Sequence, residues 1–467
     1  MVLADTALGT TAAGTIVHEQ AILTLGSIYN RGIHVGDEAL TLRGWLSAAG
    51  GFDTSNSWSG PITLAANVDI SVRGNGFLNL SGPITGPGGF TKGAGDSGTL
   101  ILSGADANAY AGATSVRDGT LVLAKSETDG AIPGLLGIGS DKGGTGSAVV
   151  RLQRPNQIAN NSSITITASG RFDLNGYYDR IDAVTGNGSV ALGSGHLIAG
   201  HSGSSFTFDG RVSGTGYLWK VGGGTWTLTA DNTYSGTTRI EAGTLLVNGM
   251  QAASDIEIQS HGVLGGAGIV GHITSIGGAI SPGSSSGMLT SSNILLDAES
   301  DFVVELTSAG ADQLNARGKV ALGNARLILA APGLMPTEGQ EFIILKNDGT
   351  DAIIGTFAGL LEGTRVTAGP CEFRITYAGG TGNDVGLIAT NTAALWPALT
   401  IRRTATNTVV VSWPQTEITW FLQKTTNLGA MPVLWSEIPP PYLTSPADYF
   451  FTEPASVGNM FYRLSKP

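Results

Sequence analysis

The chain has 467 residues, 70 of them glycine, with only 13% charged residues and a net charge of −11. Glycine is about twice and charge about half the usual share, yet 41% hydrophobic residues are too many for a disordered chain. The negative balance speaks against nucleic acid, whose binders need a basic face, and against anionic membrane surfaces; its plain role is to keep a long surface soluble.

The first residues, MVLADT, carry neither a basic region nor an apolar run, so they are no export signal. No later run reaches the apolar length of a transmembrane helix. The expectation is an export segment upstream of this sequence rather than a cytoplasmic chain. Short strands of alternating character then follow one another, beginning with 21–26 (AILTLG) and 38–44 (EALTLRG). In 98–102 Leu100 and Leu102 share a face, as do Trp226 and Leu228 in 224–229 and Leu245 and Val247 in 243–247. That period of two marks strands buried on one side. Further strands are expected at 162–176, 255–266 and 326–330. Glycine before the strands permits the positive φ of a tight corner, and Asn, Asp and Ser fill the turns. No amphipathic helix of more than about three turns is present. Cys371 stands alone, so neither an intrachain disulfide nor a zinc cluster can form.

Internal repeats set the architecture. SGPITGPGGFTK (81–92) aligns with DGRVSGTGYLWK (209–220), and AYAGATSVRDGTLVL (109–123) with TYSGTTRIEAGTLLV (233–247). A weaker third copy begins at Asn56. Within a copy the glycines recur after 21 residues (Gly98, Gly119) or 19 (Gly224, Gly243). A period near 20 suits one coil of a β-solenoid and is too short for a helical repeat or a propeller blade. About eighteen coils would make a rod on the order of 85 Å. Beyond residue 390 glycine nearly vanishes, and seven of the 18 prolines lie in 432–467. The strands of 399–404, 408–414, 418–425 and 461–466 read as a small antiparallel β-sandwich, expected to cover the last coil with Trp396–Pro397 at the junction. The domains expected are 1–390 and 391–467.

Leu218-Trp219-Lys220, Gly224–Leu228, Asn232-Thr-Tyr-Ser-Gly236 and Gly243-Thr244-Leu245 together resemble the autotransporter-associated β-strand repeat. The copy at 88–123 matches it with short insertions, and 277–290, 311–329 and 377–387 look like the terminal part of such passenger regions. This resemblance implies a right-handed, single-stranded parallel β-helix (a pectin-lyase-like solenoid) that is exported or displayed on the cell surface. Neither an export signal nor a β-barrel translocator is in the sequence, so the chain reads as a passenger without its own means of export. The C-terminal module is similar to β-sandwich tails of exported bacterial proteins.

Chemistry-bearing constellations are sparse. Asp255 with Glu257, and Asp297, Glu299 and Asp301, fall on common strand faces, but no basic cluster lies beside them in sequence. His18, His34, His196, His201, His261 and His272 are scattered, without metal-ligand spacing. Gly283–Gly287 around Ser285 fits Gly-x-Ser-x-Gly by letter but lacks the helix of a nucleophile elbow. Gly379–Asp384 starts a calcium-binding nonapeptide pattern in a single copy, whereas such sites need tandem turns. The expectation is therefore no catalytic, cofactor-binding or metal residue, no cofactor, and no enzymatic activity. A secreted or surface structural, adhesin-like protein is the preferred reading, with surface glycans or other cells as partners, as a monomeric rod or part of a longer chain. Two alternatives stay open: a polysaccharide lyase or glycosidase on a β-helix, and glycan binding through exposed Tyr177, Tyr178 and Trp219. A groove with facing carboxylates and a basic residue would favour the enzyme; an aromatic platform would favour binding.

Overall fold

The computed structural model describes residues 1–5, 7–8, 13–26, 31–49, 54–93, 95–140, 144–283, 287–369, 371–390, 398–415, 420–429, 432–445, 448–455 and 458–465. All regular structure among them is β. Three strands make one coil, and each pairs in parallel with its counterpart in the next. The first sheet stacks Thr15–Val17, Leu40–Leu42, Ile62–Leu64, Ile84–Gly86 and Ala109–Tyr110. Main-chain bonds through 130–132 and 156–158 carry it on to Tyr178–Ile181, His196–Ala199 and Tyr217–Lys220. The second runs from Ile22–Leu25 to Arg326–Ala330, and the third from His34–Val35 through Arg211–Ser213 and Met250–Gln251 to Glu341–Asn347. One apolar core continues from Val2 to Ala389. Leu100, Leu102, Trp226, Leu228, Leu245 and Val247 all point into it, as their alternation requires. Registered residues of the parallel strands lie between 16 (Leu264, Ile280) and 31 (Leu314, Leu345) residues apart. The solenoid has about 14 turns, a rod of roughly 67 Å at about 4.8 Å per turn. It is shorter than eighteen coils because its coils are longer than 20 residues in the first half and its last segment is not parallel.

The repeat letters have defined physical roles. Asn108 and Asn232 accept the main-chain N–H of Ile84 (3.0 Å) and Val212 (2.8 Å) with their side-chain oxygens, tying one coil to the one before. Tyr110 and Tyr234 are buried and hydrogen bond Thr114 and Thr238, each at 2.5 Å. The ammonium of Lys220 donates to the carbonyls of Val221, Gly222 and Ala242 (2.8, 2.7 and 3.0 Å); that of Lys92 donates to those of Asp96 and Asp118 (2.5 and 2.7 Å). Gly243 has φ +69°, and a Cβ there would lie 2.4 Å from the Gly222 oxygen. The two copies do not occupy the same side of the rod. Lys92 ends Phe90–Lys92 in the second sheet, while Lys220 ends Tyr217–Lys220 in line with the first. Asn56 uses the same bond, to the Ile33 N–H at 3.0 Å, with Trp58 in place of the tyrosine.

The far end of the rod departs from the sequence-based expectation. Glu341–Asn347 pairs in parallel with Gln313–Ala316 on one side and antiparallel with Asp384–Ala389 on the other. Cys371–Gly379 and Arg365–Ala368 then extend the sheet, antiparallel throughout. Residues 341–389 thus continue the sheet beyond the last coil, a role expected of the C-terminal segment; Trp396 and Pro397 lie outside the described residues. Cys371 is buried and donates to the Leu334 carbonyl. Further on, Thr400–Arg403, Thr408–Pro414, Asp448–Pro454 and Leu443–Thr444 form one antiparallel sheet, and Ser436–Ile438, Phe421–Thr425 and Phe461–Ser465 another. Val411, Trp413, Trp420 and Leu422 lead a second core.

Candidate binding face

The outer side of the first sheet carries an aromatic ladder. Tyr178 pairs in register with His196, and His196 with Tyr217. Their rings stack at centroid distances of 5.0 Å, with interplanar angles of 6° and 15°. Outward positions one coil apart are held at about the strand spacing, which places flat rings face to face. The faces therefore cover one another, and the polar edges turn outward. Among the described residues, neither hydroxyl nor the imidazole makes an intramolecular hydrogen bond. Burial pushes the His196 pKa down, so at neutral pH the imidazole is uncharged and can both donate and accept.

Two residues along each strand, Trp219 is in register with Arg239, and Arg239 with Glu257. The Arg239 guanidinium lies 5.0 Å from the centre of the Trp219 ring, a cation–π contact. A shallow depression of about 300 Å³ is lined by Tyr217, Leu218, Trp219, Thr237, Arg239 and Glu257. Buried Trp219 Nε1 and Arg239 Nε have no hydrogen-bond partner. Tyr178 and Trp219 thus lie on one face, while Tyr177 sits at the preceding corner. His196, Tyr217 and Arg239 are functional candidates that the sequence reading missed. Their signal is register: unequal spacings of 18, 21 and 20 residues, hidden until the coil lengths are known.

The carboxylates serve structure. Asp255 and Glu257 share an outer face as expected, but Asp255 accepts the His272 N–H (3.0 Å) and Glu257 accepts from Gln259. Asp297 and Glu299 lie in a turn, not on a strand face. Burial raises the Asp297 pKa, but hydrogen bonds from Ser300, Gly277 and Glu299 outweigh it and hold the carboxyl below its usual value. Asp301 has a basic neighbour after all, Arg326 from the next coil, at 2.6 Å. Asp384 accepts from Asn347 N–H (2.8 Å) and Thr381 N–H (3.0 Å), while Asn383 holds the 348–351 loop. The calcium-like motif is therefore a closed hairpin turn, and no group of three potential ligands comes together among the described residues. Ser285 lies outside those residues. Among the described residues, serine and histidine side chains meet at His34 Nδ1 to Ser57 Oγ (2.9 Å) and at Ser260 Oγ to His261 Nδ1 (3.1 Å). Asp5 accepts from the main-chain N–H of His34 rather than from its ring. His201 is exposed in a turn after the ladder strand that holds His196.

Residues 95–123 and 218–247 match the passenger-associated-transport-repeat family, so the chain carries two copies of that repeat. An extracellular serine protease of Serratia marcescens is 30% identical over 199 residues, 40% of this chain and 18% of that protein. A second of the same name and organism is 29% identical over 201 residues, with the same coverage. The adhesin BmaC autotransporter of Brucella suis is 36% identical over 103 residues, 21% of this chain and 3% of that protein. The chain thus spans less than a fifth of these relatives. Among solved structures, the Haemophilus influenzae Hap adhesin matches with a TM-score of 0.24 and 10% identity, over 81% of this chain and 59% of that one. The repeat and the adhesin relative agree with a passenger-type, adhesin-like protein, outside the cell or on its surface. The expectation of no enzymatic activity is corrected: two relatives that align over 40% of the chain are named serine proteases. No helix among the described residues is long and apolar enough to cross a membrane.

Proposed function

We propose that this passenger-type chain is an adhesive surface rod that binds carbohydrate through the Tyr178–His196–Tyr217 ladder and the adjoining Trp219–Arg239 depression. The observation that carries the reading is the row of three polar edges, stacked at 5.0 Å and without a hydrogen-bond partner among the described residues. Each edge can donate and accept, which suits a hydroxyl-rich chain lying along the rod. Residues 1–390 are the rod, and 391–467 are a separate module with its own core. Binding of the purified chain to an array of neutral glycans tests this. Tyr217→Ala, which removes one end of the ladder, is expected to weaken binding roughly tenfold, the scale of one lost stacking and hydrogen-bonding group. Unchanged binding in a folded variant would sink the reading.

The two serine protease alignments favour a second reading, the β-helical part of an exported protease. Casein hydrolysis by the chain, and its loss with a serine-directed inhibitor, measures it.

A further inference from the structure

An acidic molecule has an arginine-rich patch on one side. Strands Ala148–Leu152, Gly170–Asp173, Ser189–Ala191 and Arg211–Ser213 are consecutive members of the third sheet. Arg151, Arg171 and Arg211 all point outward from it, alternating with buried Val150, Phe172 and Val212. Arg171, Ser189 and Arg211 form one column, and Arg151 stands in the next, in register with Asp173. The Asp173 carboxylate is the acidic group within the cluster, 2.9 Å from Arg151 and 3.7 Å from Arg171. Both guanidinium-bearing side chains stay 45% exposed, so one carboxylate does not quench them. Arg154 follows in the adjoining corner, exposed. Among the described residues, neither Arg154 nor Arg211 has a carboxylate within 4.0 Å. Asp209, at the corner before Arg211, accepts from Thr229 instead.

The patch opens into a groove. Ala124, Gln153, Arg154, Pro155, Asn175 and Tyr177 line an open volume of about 700 Å³ where successive corners stack. Amides and a tyrosine beside the arginines offer hydroxyl partners and a ring next to positive charge.

We propose that this arginine face is a docking surface for an anionic polysaccharide, a sugar chain bearing carboxylate or sulfate groups. Arginine forks recognise such groups by paired, charge-assisted hydrogen bonds. Arg151 and Arg171 lie one coil apart and Arg171 and Arg211 two coils apart, steps of about 5 and about 10 Å along the rod, a row of charges that matches a linear polyanion. The net charge of −11 opposes a long nucleic acid over the rest of the molecule, and the groove's amides and tyrosine favour sugar hydroxyls over a bare phosphate backbone. This surface lies on a different sheet from the aromatic ladder and does not depend on it.

The test is affinity chromatography and calorimetry of the full chain on heparin, polygalacturonate, dextran and duplex DNA. Binding to both acidic sugars, lost at about 0.5 M salt where the charges are screened, and none to dextran, is expected. Arg154→Gln with Arg211→Gln leaves both partners of Asp173 in place and is expected to weaken binding to heparin roughly tenfold. Tyr217→Ala is expected to leave it unchanged, which separates this surface from the carbohydrate ladder. Salt-insensitive binding, equal retention on dextran, tighter binding to DNA, or full affinity in the folded double variant would each overturn the proposal.

Discussion

Asp179 shows how a single position can be read only with its neighbours. In sequence it is one of two acidic residues around an arginine, on a strand whose outward partners are aromatic. In the structure it points inward, fully buried, and accepts the main-chain N–H groups of Gln157 (3.0 Å) and Arg180 (2.9 Å). Burial outweighs those bonds and raises its carboxyl pKa to about 8. The native chain then keeps a proton that the unfolded chain, with a value near 3.8, has lost. The native state binds more protons across this window, so this group's stabilisation is full below pH about 4 and is lost as pH rises through about 8. Asp179→Asn keeps one acceptor oxygen and cannot ionise. The stability advantage of the parent over this variant, from urea midpoints at pH 4 to 8, is expected to shrink steadily with rising pH. A constant difference would contradict the assignment.

At the scale of the strand and its corner, much was legible. Alternation gave the inward residues of 98–102, 224–229 and 243–247, because a strand has only two faces. The Asn-x-Tyr-x-Gly-x-Thr spelling marked real contacts, since each letter has a different partner in the preceding coil or four residues on. Other features escaped for physical reasons. Asp297 and Glu299 look alternating but cap a turn, because local hydrogen bonding to Ser300 competes with the strand. The arginine patch and the aromatic ladder depend on register across coils of unequal length, which spacing within one coil does not set. The lysine letter was legible as a repeat position but not as a clamp. Burial pushes the Lys220 pKa down to about 8, yet three carbonyls converge on its ammonium. Lys220→Met keeps the stem and removes all three bonds, leaving carbonyls at a crowded corner. A loss of about 1–3 kcal/mol is expected, read as a lower urea midpoint with an unchanged slope.

For the rod as a whole, the strand, rather than the coil, is the unit that repeats. Lys92 and Lys220 play the same part from different sheets, because three near-equivalent sides accept the same corner. A motif fixes which residues clamp a corner, and the number of strands before it fixes the side of the rod on which it lands. Each coil contacts only its neighbours, so the stack should tolerate the loss of one complete turn. Thr225 is in register with Thr244, Trp226 with Leu245 and Leu228 with Val247. Removal of residues 225–243 would set Thr244 where Thr225 stood and let Ile256–Gly266 follow on Tyr217–Lys220, with every remaining strand on its own sheet. Removal of 225–234 alone would instead take out two sides of the coil and bring Thr238–Val247 round two sides too early, turning its pairing partners away. The whole-coil deletion is expected to keep the β-type circular dichroism and a cooperative unfolding transition, and the partial deletion to lose the transition. Equal tolerance of both would mean that register between coils is not what holds the rod together.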